Sequence, residues 1–223
     1  MYSGNISLNV KTILSELPPY VNLVAAAKTR TVDEIHEAIS SGIGIIGENY
    51  VQEASRVFEA IGNKVKWHLI GHLQKNKVKK AVRIFDMIET VDSVDIAREI
   101  DLKSREMRKN MPILVEVNAG MEKSKFGVLP DKVKDFIISI AGFKNISVEG
   151  LMTMGPLNDD PEKSRLCFRD VKNIFDDVAL KKIDGVRMRY LSMGMTNSYK
   201  VAIEEGANII RIGTKLFGER GKR

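Results

Sequence analysis

Apolar and polar residues follow two rhythms along the chain, and the switch between them recurs to its end. A short apolar run is followed each time by a stretch in which apolar residues return every three or four positions, the signature of a strand and then a helix. The first strand is predicted at 21–27, after Pro18-Pro19, which ends an N-terminal helix. A helix over 31–41 closes at Gly42. A short strand at 44–47 precedes a helix over 49–61 whose apolar positions are Val51, Ala54, Phe58 and Ile61. The third strand, 66–70, leads into a helix rich in lysine. The fourth, 87–91, leads into a helix over 93–107.

Pro112 opens a fifth strand, 113–117, a β-branched run of the kind buried parallel strands use. A loop over 118–128 and a helix from Pro130 to near Ala141 follow. The sixth strand is 147–154, then a long helix from Pro161 to near Leu180. The seventh is 188–193 with a helix over 197–205, and the eighth is 208–212, with a terminal helix expected after Leu216. About eight strand–helix alternations are what a closed barrel requires. An open doubly wound sheet has fewer strands and a glycine-rich first turn, whereas the first turn here is Ala27-Lys28-Thr29-Arg30. The fold class is therefore α/β, a single (β/α)8 TIM-type barrel, with residues 1–223 forming one domain.

Composition narrows the function classes. A 43% hydrophobic content supports a sizeable core, and no apolar run approaches the roughly 20 residues that cross a bilayer. Without a signal-peptide pattern, the expectation is a cytoplasmic protein with no membrane association. The single cysteine, Cys167, excludes an intramolecular disulfide and any Cys-based metal site, and its helical surroundings predict a buried thiol. The net charge of +6 favours anionic ligands. Its densest run, Lys75, Lys77, Lys79, Lys80 and Arg83, is interleaved with Val78, Ala81, Val82 and Phe85, which reads as the solvated face of an amphipathic helix and not a dedicated nucleic-acid surface.

Barrel active sites collect at the carboxyl ends of the strands. Two such ends suit an anion. Gly194-Met195-Thr196 leads into a helix that Thr196 could cap. Gly213 lets the backbone approach closely, and Thr214 adds a hydroxyl. Lys28 directly follows the first apolar run. An amine that loses solvation there attacks an aldehyde, so a lysine facing a phosphate site points to a phosphorylated aldehyde. His68 and His72 have the spacing of a helical metal pair, but they fall on a strand and its end and lack a third ligand. No metal site is expected, and a hydrogen-bonding role is.

Five segments in order carry a resemblance: Ala26-Ala27-Lys28-Thr29, Gly47-Glu48-Asn49-Tyr50-Val51-Gln52-Glu53, Trp67-His68-Leu69-Ile70-Gly71-His72-Leu73-Gln74, Leu191-Ser192-Met193-Gly194-Met195 and Arg211-Ile212-Gly213-Thr214. From about residue 20 to Arg220 the chain resembles the pyridoxal phosphate homeostasis proteins, which are similar to the N-terminal barrel of alanine racemases. The resemblance implies a fold-type III barrel without a C-terminal β domain, holding pyridoxal 5′-phosphate (PLP) as a Schiff base on Lys28. It implies Arg211 beside the pyridine nitrogen, Asn49 near the ring, and a phosphate cup of Thr196, Gly213 and Thr214, with Ser192 and Met195 in the same motif. Thr196 stands where family members commonly carry serine, and Ser198 where they commonly carry an acid; both changes bear on the geometry of the cup. The loop around Lys125 is also similar to one in alanine racemases that brings a basic residue to the cofactor.

With no second domain expected beyond the barrel, an open cofactor site suits transfer better than catalysis, so the expected role is a non-enzymatic carrier in intracellular vitamin B6 homeostasis, with PLP-dependent apoenzymes as acceptors and a monomeric state. The alternative is a PLP-dependent racemase or other PLP enzyme. Racemisation needs a proton donor on each face of a carbanion, and none of Tyr50, Tyr190 and Tyr199 is expected to serve: the first and last read as helical, the second as strand. An aldolase-type lysine enzyme and a nucleic-acid binder are the remaining readings.

Overall fold

The computed structural model describes residues 5–122, 125–155 and 160–219. Eight parallel strands close into a barrel in strict sequence order, each paired with its neighbours and the last with the first. They are β1 (Asn22–Ala26), β2 (Ile45–Glu48), β3 (Lys66–Leu69), β4 (Met87–Val91), β5 (Met111–Glu116), β6 (Ile146–Met152), β7 (Val186–Ser192) and β8 (Ile209–Ile212). The helices are α1 (Ile6–Glu16), α2 (Val32–Ser40), α3 (Val51–Ile61), α4 (Val78–Ile84), α5 (Val94–Glu106), α6 (Val133–Ile140), α7 (Arg165–Leu180), α8 (Tyr199–Glu204) and α9 (Thr214–Phe217).

Local chemistry sets several of these boundaries. Thr31 and Glu34 form a reciprocal capping box that starts α2, and the Ser93 hydroxyl accepts from Ile96 N at the start of α5. The basic segment begins as a 3-10 turn, Lys75–Lys77, and continues as α4. Val78, Ala81, Val82 and Phe85 are buried while Lys75, Lys79, Lys80 and Arg83 stay exposed, the solvated basic face expected of it. Cys167 is buried as expected, and burial pushes its thiol up to about 11.

Most of the core lies between the strands and the helical ring, with Trp67 fully buried and its indole N–H donating to Gly62 O at 3.0 Å. A second cluster, Val24, Ile70, Met87, Leu114, Met152 and Ile209, is drawn from strands all around the ring and fills the barrel interior. The β7–β8 seam is thin, paired in register only at Ser192 and Ile209. The Asn208 side chain reinforces it, accepting from Leu191 N at 2.8 Å and donating to Arg189 O at 2.7 Å.

Several expected boundaries move, among them three helix starts. α3 begins at Val51, so Tyr50 is its N-cap and lies outside the helix. α8 begins at Tyr199, with residues 196–198 forming a turn instead of its first residues. α9 spans Leu216 instead of following it, and ends at Gly218, whose φ of 79° breaks the helix.

Candidate functional site

The carboxyl end of the barrel carries a buried polar network. The Arg211 guanidinium, from β8, donates through Nη1 to Ser192 Oγ at 2.6 Å and through Nη2 to Thr153 O at 2.8 Å. Ser192, at the end of β7, donates a hydrogen bond to Glu89 Oε2 at 2.6 Å, and His68 Nδ1 lies 2.6 Å from Glu89 Oε1. His68, Glu89, Ser192 and Arg211 are all buried. Burial alone would raise the Glu89 carboxyl, but the hydrogen bond and charge of His68, the Arg211 charge and the Ser192 hydroxyl outweigh it and hold the group below its ordinary value. Burial lowers Arg211 from its ordinary value against the pull of Glu89 and Glu116; a guanidinium nonetheless stays charged in proteins. The hydrogen-bonding role expected for His68 is what it has. His72 instead stacks on Phe126, with ring centroids 3.7 Å apart, and lies 3.8 Å from Asp92. Among the described residues no group of three candidate ligands could hold a metal.

Lys28 sits just beyond β1, in a loop fixed at both sides. Thr29 takes a left-handed conformation (φ 66°), Arg30 N donates to Ala27 O, and the Arg30 guanidinium caps α9 through Phe217 O and Gly218 O. The lysine is half-buried, with Nζ 5.1 Å from the centre of the Tyr50 ring. The expectation of an amine stripped of water is met only in part, because Lys28 is half-buried and not enclosed. Tyr50, set aside as helical, thus has its ring beside this amine.

The two glycine turns lie on the same rim. Gly194 has φ 93°, and a Cβ there would fall 2.6 Å from Ala202 Cβ and 2.9 Å from Tyr199 Cα, so no other residue fits. Met195 O accepts from both Ser198 N and Tyr199 N, and Met195 N donates to Ser198 Oγ. Thr196 is therefore a half-buried turn residue and not the helix cap; Ser198 occupies the cap position, and its hydroxyl is used within the turn. A Cβ on Gly213 would lie 3.2 Å from Ala26 O, which puts the turn after β8 directly against the end of β1. Thr214 is exposed beside it.

A cavity of about 590 Å³ opens next to these turns, over the ends of β2 to β6. Of the expected site residues Asn49 and Met195 line it; Lys28, Ser192, Thr196, Arg211, Gly213 and Thr214 do not. Lys125 also lines it, with Nζ 2.5 Å from Glu122 Oε1 and 3.3 Å from Gly155 O. Besides Glu89, two acids given no role at the level of sequence belong to this end of the barrel. Burial and the Asp92 charge push Glu116 up to about 7 against Arg211, and burial and Glu53 push Glu48 up to about 8; each has a buried Oε2 without a hydrogen-bond partner. The signal that could have found them is a carboxylate closing an apolar strand run.

The family model of the alanine racemase N-terminal domain matches residues 3–221. A pyridoxal phosphate homeostasis protein of Aquifex aeolicus is 39% identical over 199 residues, which cover 89% of this chain and 86% of the relative. The chain belongs to the pyridoxal phosphate homeostasis protein family. Solved structures agree: PipY of Synechococcus elongatus, known without PLP and with PLP bound, superposes with TM-scores of 0.90 and 0.88 at 31% and 30% identity, over 96% of this chain and 100% of that one. Alanine racemase of Clostridium difficile shares the fold alone, at 15% identity and a TM-score of 0.81, this family's barrel covering 57% of that chain.

Proposed function

We propose that this chain binds PLP at the carboxyl end of its barrel, tethered to Lys28, and serves PLP homeostasis as a carrier. The observation that supports it best is the contact between the Gly213 turn and the end of β1, which brings an amine and an anion-binding turn to one rim. When bound, the cofactor supplies an aldehyde that a lysine amine can hold covalently and a phosphate that backbone amides can grip. Thr196, Gly213 and Thr214 would hold the phosphate, and the first N–H groups of α9 have no acceptor within the helix. A helix of four residues offers donors more than a macrodipole. Arg211 would face the pyridine nitrogen as a fixed cation, with Ser192 orienting it and not touching the cofactor, and Asn49 and Met195 would flank the ring from the cavity side.

Arg211 beside the ring nitrogen would weaken the case for carbanion chemistry, because a guanidinium keeps its proton and would leave that nitrogen unprotonated. One observation favours the racemase alternative: the Tyr50 phenol beside Lys28 could supply a second acid–base group. Exchange of the α-hydrogen of alanine in deuterated water, tested in wild type and Tyr50→Phe, separates the two readings. The carrier reading extends to a cytoplasmic monomer that delivers PLP to apoenzymes; among the described residues no helix is long and apolar enough to cross a membrane. Absorbance titration tests the central point. Wild type develops the visible band of a lysine-bound pyridoxal and Lys28→Ala does not; equal bands in both would defeat the assignment.

A further inference from the structure

Glu116 is the last residue of β5, is 7% exposed, lines the 590 Å³ cavity, and keeps Oε2 without a hydrogen-bond partner. A buried carboxylate oxygen left in this way costs free energy, and a ligand able to pair with it recovers that cost on binding. The other polar groups nearby are already engaged: Thr90 Oγ1 donates to Gly71 O, Thr153 Oγ1 to Val117 O, and Asn118 Nδ2 to Glu122 O and Lys125 O. The unmet demand in this part of the molecule is for a hydrogen-bond donor, and a charged donor meets it best.

The cavity also indicates what kind of cation would fit. A metal ion needs several hard ligands, and no group of three exists among the described residues. The wall beside Glu116 is apolar and aromatic, with Val117, Ile70, Met154 and the stacked His72–Phe126 pair. Such a wall suits an organic cation, whose body is buried against it while its charge meets the carboxylate. We propose that this cavity is a binding site for a small organic ammonium ion, a primary amine with an apolar body, and that Glu116 is its counter-ion. The site adjoins the Lys28 rim, with which it shares Asn49, Tyr50 and Met195, but the Glu116 contact itself does not need PLP to be bound.

Charges of both signs surround Glu116. Asp92 adds negative potential from the end of β4, and Arg211 opposes it from β8. His72 and the cations Lys77 and Lys125 line the same cavity, Lys125 being paired with Glu122. With its carboxyl pushed up to about 7, Glu116 is partly protonated near neutrality, so taking up an ammonium ion displaces a proton.

Isothermal titration of the purified full chain with benzylamine tests the site, after borohydride reduction has removed any aldehyde that an amine could attack. Wild type is expected to bind benzylamine roughly tenfold or more tighter than it binds benzyl alcohol, and Glu116→Gln to lose that preference. Titration at about pH 6.5 in two buffers of different ionisation enthalpy reads the displaced proton directly, and needs no variant. Absence of benzylamine binding, equal affinity for the alcohol, affinity retained in Glu116→Gln, or binding without proton release each overturns the proposal. Lys28 labelling measured in parallel keeps the readings apart: a chain that links PLP but ignores benzylamine sinks this inference and leaves the carrier standing.

Discussion

Arg211 and Glu89 face each other across 3.9 Å in the barrel interior, and the Ser192 hydroxyl bridges them, accepting from one and donating to the other. The pair is almost wholly buried, so it gains little from burial itself and a great deal from being complete. Glu89→Gln leaves a buried guanidinium without its main counter-charge, and an expected loss of about 3 kcal/mol or more follows. Ser192→Ala removes only the bridge and should cost about 1–3 kcal/mol. Urea unfolding of both variants and of the double variant reads the coupling between them; additive losses would show that the network does not act as a unit.

The two raised carboxyls set a pH dependence of stability. Glu48 goes from its ordinary value near 4.5 to about 8 in the folded chain, and Glu116 to about 7. Between those limits the folded state holds more protons than the unfolded one. Stability from these groups is therefore full below about pH 4.5 and is lost as pH rises through 7 and 8. Glu89, held low, acts in the opposite sense at acid pH, so its contribution is lost as pH falls. Glu48→Gln should flatten the alkaline decline and raise the melting temperature at pH 8; an unchanged slope between pH 5 and 8 would remove Glu48 as its source.

Gly194 and Gly213 should respond differently to an added methyl group. Gly194→Ala forces a collision with Ala202 and Tyr199 at a left-handed backbone position, which costs about 1–3 kcal/mol and distorts the turn. Gly213→Ala meets only Ala26 O at 3.2 Å, without a positive φ, so the fold should survive with the anion turn displaced. Measured affinities for PLP and for pyridoxal discriminate here: Gly213→Ala should weaken the phosphorylated ligand and leave pyridoxal nearly unchanged. Equal losses for both ligands would separate this turn from the phosphate.

Much of this architecture was legible in the chain because parallel strands and amphipathic helices leave different periodicities, and residues such as Pro18, Thr31 and Gly42 punctuate them. Lys28 and the Gly194 and Gly213 turns stood out because strand ends in a barrel converge on one face. What periodicity could not supply was direction. Glu89 in Met87-Ile88-Glu89-Thr90-Val91 lies on a strand covered on both faces, so alternation does not tell the barrel interior from the helical layer. Thr196 looked like a cap because a hydroxyl after glycine suits either a cap or a turn, and only the hydrogen bonds of Met195 with Ser198 and Tyr199 decide between them. The partial exposure of Lys28 goes with a loop held by Glu53 and by Arg30 on α9, contacts distant in sequence.

The assignment of the tethering amine is tested most directly by a mass spectrum of the protein purified from cells, reduced with borohydride and digested. A pyridoxyl-phosphate adduct confined to the peptide that contains Lys28 is the expected result. An adduct on another lysine, or a wholly unmodified digest from PLP-saturated protein, would contradict it.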